Sequence, residues 1–191
     1  MTITTILAYL LIVCYFVIER KLRKGEKARS LTVGPFDQGS SQIMWTSGLF
    51  SIMLVLVAPV LNAYQLGYWS SAYMSWFGLL IMLNGLILRY WAAKTLGEFY
   101  TRTLQIIEGQ QIVDQAPYNI LRHPGYLGIF LMEIGAGLAI ANWVVLLIIV
   151  IIGVFSSVYR IQAEEEMLLT TFGEQYKVYS QKTWRLIPLI Y

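Results

Sequence analysis

Four apolar runs, set apart by short polar segments, organise this chain. Thr2–Ile18, Ile43–Ala63 and Ala72–Leu88 each approach the roughly 20 residues that a spanning helix needs, with Pro59 a candidate kink in the second. The fourth run, Gly125–Tyr159, has 35 residues and one charge, Glu133. As a single helix it would be about 52 Å long, against a hydrocarbon core of about 30 Å. It is therefore expected to fold back, at Ala141-Asn142-Trp143, where Asn tolerates turn dihedrals and Trp favours the membrane interface. The pattern predicts five transmembrane helices.

Composition supports a membrane class. The 191 residues are 57% hydrophobic and 13% charged, whereas soluble domains carry roughly 25% charged residues. The length suits one domain, read as a three-span region over 1–95 followed by a half over 96–191 that carries the chemistry. All fourteen Lys and Arg residues can be placed on one side of the bilayer. Arg20–Arg29 holds six of them, whereas the Asn62–Tyr73 loop has no charge and is rich in Tyr and Trp. By the positive-inside rule the N-terminus is expected outside, and Arg89–His123 and Arg160–Tyr191 in the cytoplasm. The net charge of +3 suits anionic headgroups better than nucleic acid, so no nucleic-acid partner is expected. The N-terminal run has no basic residue before it and reads as a first span rather than a signal peptide. The lone Cys14 allows no intrachain disulfide, and with one His and one Cys far apart no metal site is expected. Gly34–Ser41, with Gly, Pro, Asp and Ser, reads as a flexible stretch.

The segment Leu96–Gly128 is the informative loop. Thr103–Ile107 and Gln111–Val113 are β-prone and flank Glu108-Gly109, which predicts a small cytoplasmic hairpin. Pro124 suits the first turn of the fourth helix, where its missing N–H costs nothing. The fifth helix should continue past the membrane to Phe172, with Gly173 as its cap, ahead of a C-terminal helical segment. Arg160 and Glu164 are four apart and share a face. They read either as an ordinary ion pair or as one charge for each end of a polar ligand.

Arg122-His-Pro-Gly-Tyr-Leu-Gly128 resembles the RHPxYxG motif of the isoprenylcysteine carboxyl methyltransferase family. Glu164-Glu165-x-x-Leu168-x-x-x-Phe172-Gly173-x-x-Tyr176-x-x-Tyr179 resembles its C-terminal signature, and Val113–Tyr118 its LVxxGPY stretch, with Ala116 in place of Gly and Gln110 in place of a frequent His. The resemblance covers about half of the chain, and the short N-terminal half is as in prokaryotic members. It implies S-adenosylmethionine as methyl donor, a lipid-linked or prenylated carboxylate as substrate, and a site at the cytoplasmic face. Carried over by position, Gln105, Gln110, Gln111, Ile112, Val113, Tyr118, His123, Pro124, Gly125, Tyr126 and Glu164 bind the cofactor, and Arg160 clamps the acceptor carboxylate in a bidentate fork. The N–H groups at the start of the fourth helix would meet a cofactor carboxylate.

Other readings of the same residues stand beside these. Tyr118 and Tyr126 fit interface aromatics, Gln110 and Gln111 solvated turn residues, and Glu165 and Glu166 local pairs. His123 fits a helix-start residue whose backbone matters more than its imidazole. Gly135-Ala-Gly137 reads as a packing notch rather than a nucleotide fingerprint. Glu133 is an intramembrane carboxylate, paired with Arg89 or protonated. At the level of function, a phospholipid N-methyltransferase and a non-catalytic membrane scaffold are the alternatives. An ionised carboxylate needs no general base, whereas an amine must lose a proton, so Arg160 favours a carboxylate acceptor.

Overall fold

The computed structural model describes residues 1–23 and 32–188. Lys24, Lys27 and Arg29, part of the first inside-positive loop, lie outside the described residues. Helix α1 spans Ile3–Leu22, with the Thr2 hydroxyl accepting from the Thr5 N–H at 3.3 Å. Helix α2 spans Ser40–Ala63 and passes through Pro59. Helix α3 spans Ala72–Leu96 and runs into a 3₁₀ turn at Gly97–Phe99. Helix α4 spans Pro124–Ala139 with Pro124 in its first turn, α5 spans Trp143–Phe172, and α6 spans Glu174–Lys182. Gly173, at φ 53°, separates the last two, and its N–H returns to the Leu169 carbonyl at 2.9 Å.

Among the described residues four helices, not five, are long and apolar enough to cross a membrane: α1, α2, α3 with its 3₁₀ turn, and α5. Large apolar side chains such as Leu49, Met53, Leu56 and Val60 lie exposed at helical spacing along α2, a face suited to lipid rather than water. The 35-residue run does fold back at Ala141–Trp143, but unequally. Helix α4 keeps 16 residues, about 24 Å, while α5 takes 30. The strained residue at the turn is Ala141, with φ 58°; Asn142 is extended and works as a cap. The fully buried Asn142 amide donates to Asn62 Oδ1 at 2.7 Å and the Leu66 carbonyl at 2.8 Å, and its Oδ1 accepts from the Val145 N–H.

The expected hairpin is absent: no strand occurs among the described residues. A turn does form at Glu108-Gly109, where the Gln110 N–H donates to the Ile107 carbonyl and Gln110 Oε1 accepts from the Ile107 N–H. Its flanks find partners elsewhere. Gly34 N–H donates to the Leu104 carbonyl at 3.0 Å, and the Thr103 hydroxyl to the Thr32 carbonyl at 2.7 Å. Tertiary partners thus override the β-propensity of these short runs. The Gly34–Ser41 stretch, read as flexible, is bonded at Gly34 to the Leu104 carbonyl and holds the buried Asp37, Ser40 and Ser41.

The packing notch is real and longer than expected. A Cβ on Gly78 would lie 2.7 Å from the Gly135 carbonyl oxygen, and one on Gly85 would lie 2.6 Å from that of Gly128. Glycines seven residues apart on α3 and α4 therefore bring the two backbones into contact, the way small residues let membrane helices associate. Gly137 abuts Leu146 on α5 instead.

Candidate active site

The close α3–α4 pair leaves a cavity of about 330 Å³ between these helices, α1, α2, α5 and the loop over 100–123, within the roughly 300–1,000 Å³ of small-molecule sites. Its apolar limb is walled by residues such as Ile12, Ile52, Val55, Met82, Met132 and Ile149. Its polar end is built from the loop, the start of α4, the C-terminal half of α5, and Tyr176 and Tyr179 of α6. Of the positions carried over by motif, Gln105, Gln110, Gln111, Ile112, Val113, Tyr118, His123, Gly125, Tyr126, Arg160 and Glu164 all line this cavity. Pro124 does not, but it sets the first turn of α4 between His123 and Gly125.

A four-residue chain of hydrogen bonds crosses the polar end. Arg160 and Glu164 share a face of α5 yet form no direct ion pair. The Tyr126 hydroxyl from α4 stands between them, accepting from Arg160 Nε at 3.1 Å and donating to Glu164 Oε2 at 2.6 Å. Arg160 is buried, and its Nη1 donates to Asp37 Oδ1 at 2.9 Å, Ser40 Oγ at 3.0 Å and Ser41 Oγ at 2.6 Å. Asp37 also accepts from the Ser41 N–H and hydroxyl. Burial opposes ionisation of Asp37, yet the Ser41 hydrogen bonds and the Arg160 charge hold its carboxyl below the ordinary value of 3.8. The bidentate fork expected of Arg160 is therefore not set up. Nε and Nη1 are engaged, and Nη2 is the one guanidinium nitrogen with no partner among the described residues.

The start of α4 is equally occupied. The Arg122 and His123 N–H groups donate to the Trp184 and Arg185 carbonyls, and those of Tyr126 and Leu127 turn back to the His123 carbonyl. The Arg122, His123, Tyr126 and Leu127 amides are thus bonded to the chain's own carbonyls. The His123 carbonyl closes the first turn of α4, and its imidazole is engaged too, with Nε2 3.2 Å from Glu165 Oε1 and the ring stacked on Tyr126. Glu165, read as a local pair, gathers Arg122 Nε at 2.8 Å, Arg185 Nη2 at 2.7 Å and His123. It pins the α4 start and the 183–186 segment to α5. Glu133 is not paired with Arg89, which instead meets Glu19 at 2.8 Å beneath Tyr100. Glu133 lies in the apolar limb, where its carboxylate abuts Gly153 of α5.

Sequence reasoning missed Asp37, Ser40 and Ser41, and gave Tyr176 no role. For Asp37 a signal existed: an Asp four positions before Ser41, at the head of an apolar run, can accept from amides of a helix start. Tyr176 stood in the C-terminal signature without an assigned role; its hydroxyl is buried in the cavity wall without a partner among the described residues.

Residues 77–170 match the model of the isoprenylcysteine carboxyl methyltransferase (ICMT) family. A probable protein-S-isoprenylcysteine O-methyltransferase of Oryza sativa subsp. indica is 31% identical over 127 residues, covering 64% of each chain. The protein-S-isoprenylcysteine O-methyltransferase of Dictyostelium discoideum is 32% identical over 125 residues, 61% of this chain and 50% of that one. The chain thus spans less than two thirds of the length of these relatives. The solved structure of the eukaryotic intramembrane Ras methyltransferase ICMT superposes with a TM-score of 0.63 at 26% identity, covering 77% of this chain and 52% of that one. Over residues 77–170 this chain with its long apolar helices matches the isoprenylcysteine carboxyl methyltransferase family, and it is similar to these relatives in sequence and to the solved ICMT structure in fold.

Proposed function

We propose that the protein is an S-adenosylmethionine-dependent methyltransferase that O-methylates the carboxylate of a lipid-linked, isoprenylcysteine-like acceptor at the cytoplasmic face of the membrane. The observation that carries this reading is that one cavity joins Arg160, Tyr126 and Glu164, with Asp37 behind Arg160, to an apolar limb among the helices. The relatives' names supply the acceptor class.

The residues present fit the cofactor. Glu164 Oε1 has no partner among the described residues and offers a carboxylate to an ammonium group. The unpartnered Tyr176 hydroxyl offers a donor, and Ile112 and Val113 an apolar surface for a flat ring. When bound, the cofactor supplies an electrophilic methyl carbon. The chain's own residues have the remaining work. Tyr126 holds Glu164 and Arg160 at a set separation. Arg160 Nη2 gives one charge-assisted hydrogen bond to the acceptor carboxylate, leaving its other lone pairs for attack. The buried surroundings exclude water and strengthen both contacts. No residue needs to take a proton, since the acceptor is ionised at neutral pH.

The test is radiolabelled methyl transfer to a farnesylcysteine analogue and, in parallel, to phosphatidylethanolamine. Label in the first alone is expected. Label in phosphatidylethanolamine alone would make the protein an N-methyltransferase. Absence of S-adenosylmethionine binding in calorimetry would make it a scaffold.

A further inference from the structure

The described residues that line the cavity include five arginines and three glutamates. Where the end of α1 meets α3 and the segment after it, three guanidiniums line the wall: Arg23, Arg89 and Arg102. Glu19 is shared by Arg23 and Arg89. Arg102 makes no ion pair and no side-chain hydrogen bond among the described residues, and its Nε is sealed from solvent. Its guanidinium carbon lies over the Trp45 ring of α2, 3.9 Å from the ring centroid. Burial first, and then the nearby charge of Arg23, press its pKa below the ordinary value.

A stacked guanidinium keeps its donor edge presented while its face is covered. Arg102 therefore has orientation, charge and a vacant hydrogen-bonding edge, but no acid of its own. Trp45 also fixes where this edge lies. It sits one turn along α2 from Ser41, the Arg160 partner, and Gly48, Ile52 and Val55 continue the same face into the apolar limb. A ligand on Arg102 would thus have a charged group about 6 Å along the helix from the Arg160 cluster, at 1.5 Å per residue, and apolar wall beyond it.

We propose that Arg102, seated on Trp45, is an anion-binding subsite of this cavity, and that its ligand is the phosphate or carboxylate headgroup of an anionic lipid whose chain lies in the apolar limb. The subsite does not depend on the methyl-transfer reading, because its ligand is held whether or not a methyl group moves. The lipid is favoured over a soluble anion because the cavity continues from Trp45 into apolar wall.

The experiment reconstitutes the full chain in nanodiscs of phosphatidylcholine containing one part in five of phosphatidylglycerol. Lipid retained after release is counted by native mass spectrometry. Wild-type protein is expected to keep one phosphatidylglycerol, and Arg102→Gln to show about tenfold lower occupancy, the loss of one charge-assisted contact. Trp45→Leu keeps the charge and removes the platform; it should lose retention severalfold, and it serves as the test if Arg102→Gln does not fold. Arg20→Gln removes an exposed cation outside the cavity and should retain lipid like wild type. Retention by Arg102→Gln or Trp45→Leu at the wild-type level would overturn the proposal. So would equal loss in Arg20→Gln, which would mean general surface attraction, and so would displacement of the lipid by excess inorganic phosphate, which would mean a soluble anion.

Discussion

Asp37→Ala tests the polar end of the cavity most directly. The substitution removes the acceptor of Arg160 Nη1, of the Ser41 N–H and of the Ser40 and Ser41 hydroxyls, all of them buried. Breaking a buried ion pair from one side costs about 3–5 kcal/mol, because the remaining charge is left uncompensated. Here Glu164 still offsets part of the Arg160 charge through the Tyr126 hydroxyl, which places the expected cost near 3 kcal/mol. For a chain of this size each kcal/mol moves the unfolding midpoint by roughly 2–4 °C, so the midpoint should fall by roughly 6–12 °C. Differential scanning fluorimetry in one detergent, with Asp37→Ala, Arg160→Ala and the double variant side by side, reads this out. The double variant should recover part of the loss, since neither charge is then left alone. A midpoint for Asp37→Ala within about 2 °C of wild type, or strictly additive losses, would refute the claim that Asp37 anchors Arg160.

Four further outcomes are expected. Asp37 is held below its ordinary value, so its contribution to stability is present above about pH 4 and is lost as the pH falls through the folded-state value; Asp37→Asn should flatten this acid limb of a midpoint-against-pH profile. Tyr126→Phe removes the bridge between Arg160 and Glu164 and should raise the cofactor KM and lower methyl transfer by roughly 10–100-fold, with thermal stability changed far less. Arg160→Ala should abolish methyl transfer while cofactor binding stays measurable by calorimetry; turnover near the wild-type level would remove Arg160 from the mechanism. Gly85→Val places a side chain against the Gly128 carbonyl and should cost about 1–3 kcal/mol or more, seen as loss of monodisperse protein on size exclusion.

Much of the site was legible because the motif residues are local. Tyr126 follows His123 by three positions, and Glu164 follows Arg160 by four, so one turn of helix brings each pair to one face whatever the rest of the chain does. The cavity gathers these positions as expected. The roles were less legible. An i,i+4 spacing is equally consistent with a direct Arg160–Glu164 ion pair, and the sequence holds no hint that Tyr126, 34 residues earlier, stands between them. Asp37 comes from 123 residues before Arg160, and no local pattern reports a contact of that separation.

By itself the sequence determined membrane class, the position of the fold-back before Trp143 and the C-terminal boundary at Gly173, because each depends on hydrophobic length or on the dihedral freedom of a few residues. Tertiary structure alone decided the rest. It gave the 35-residue run unequal halves and left α4 short of a full span. It drew the β-prone loop away from a hairpin by offering Gly34 and Thr32 as partners. It turned a stretch that read as flexible into the anchor of Arg160. In each case the deciding energy is a buried charge or backbone group that must find a partner away from water, and which partner it finds depends on segments far apart in the chain.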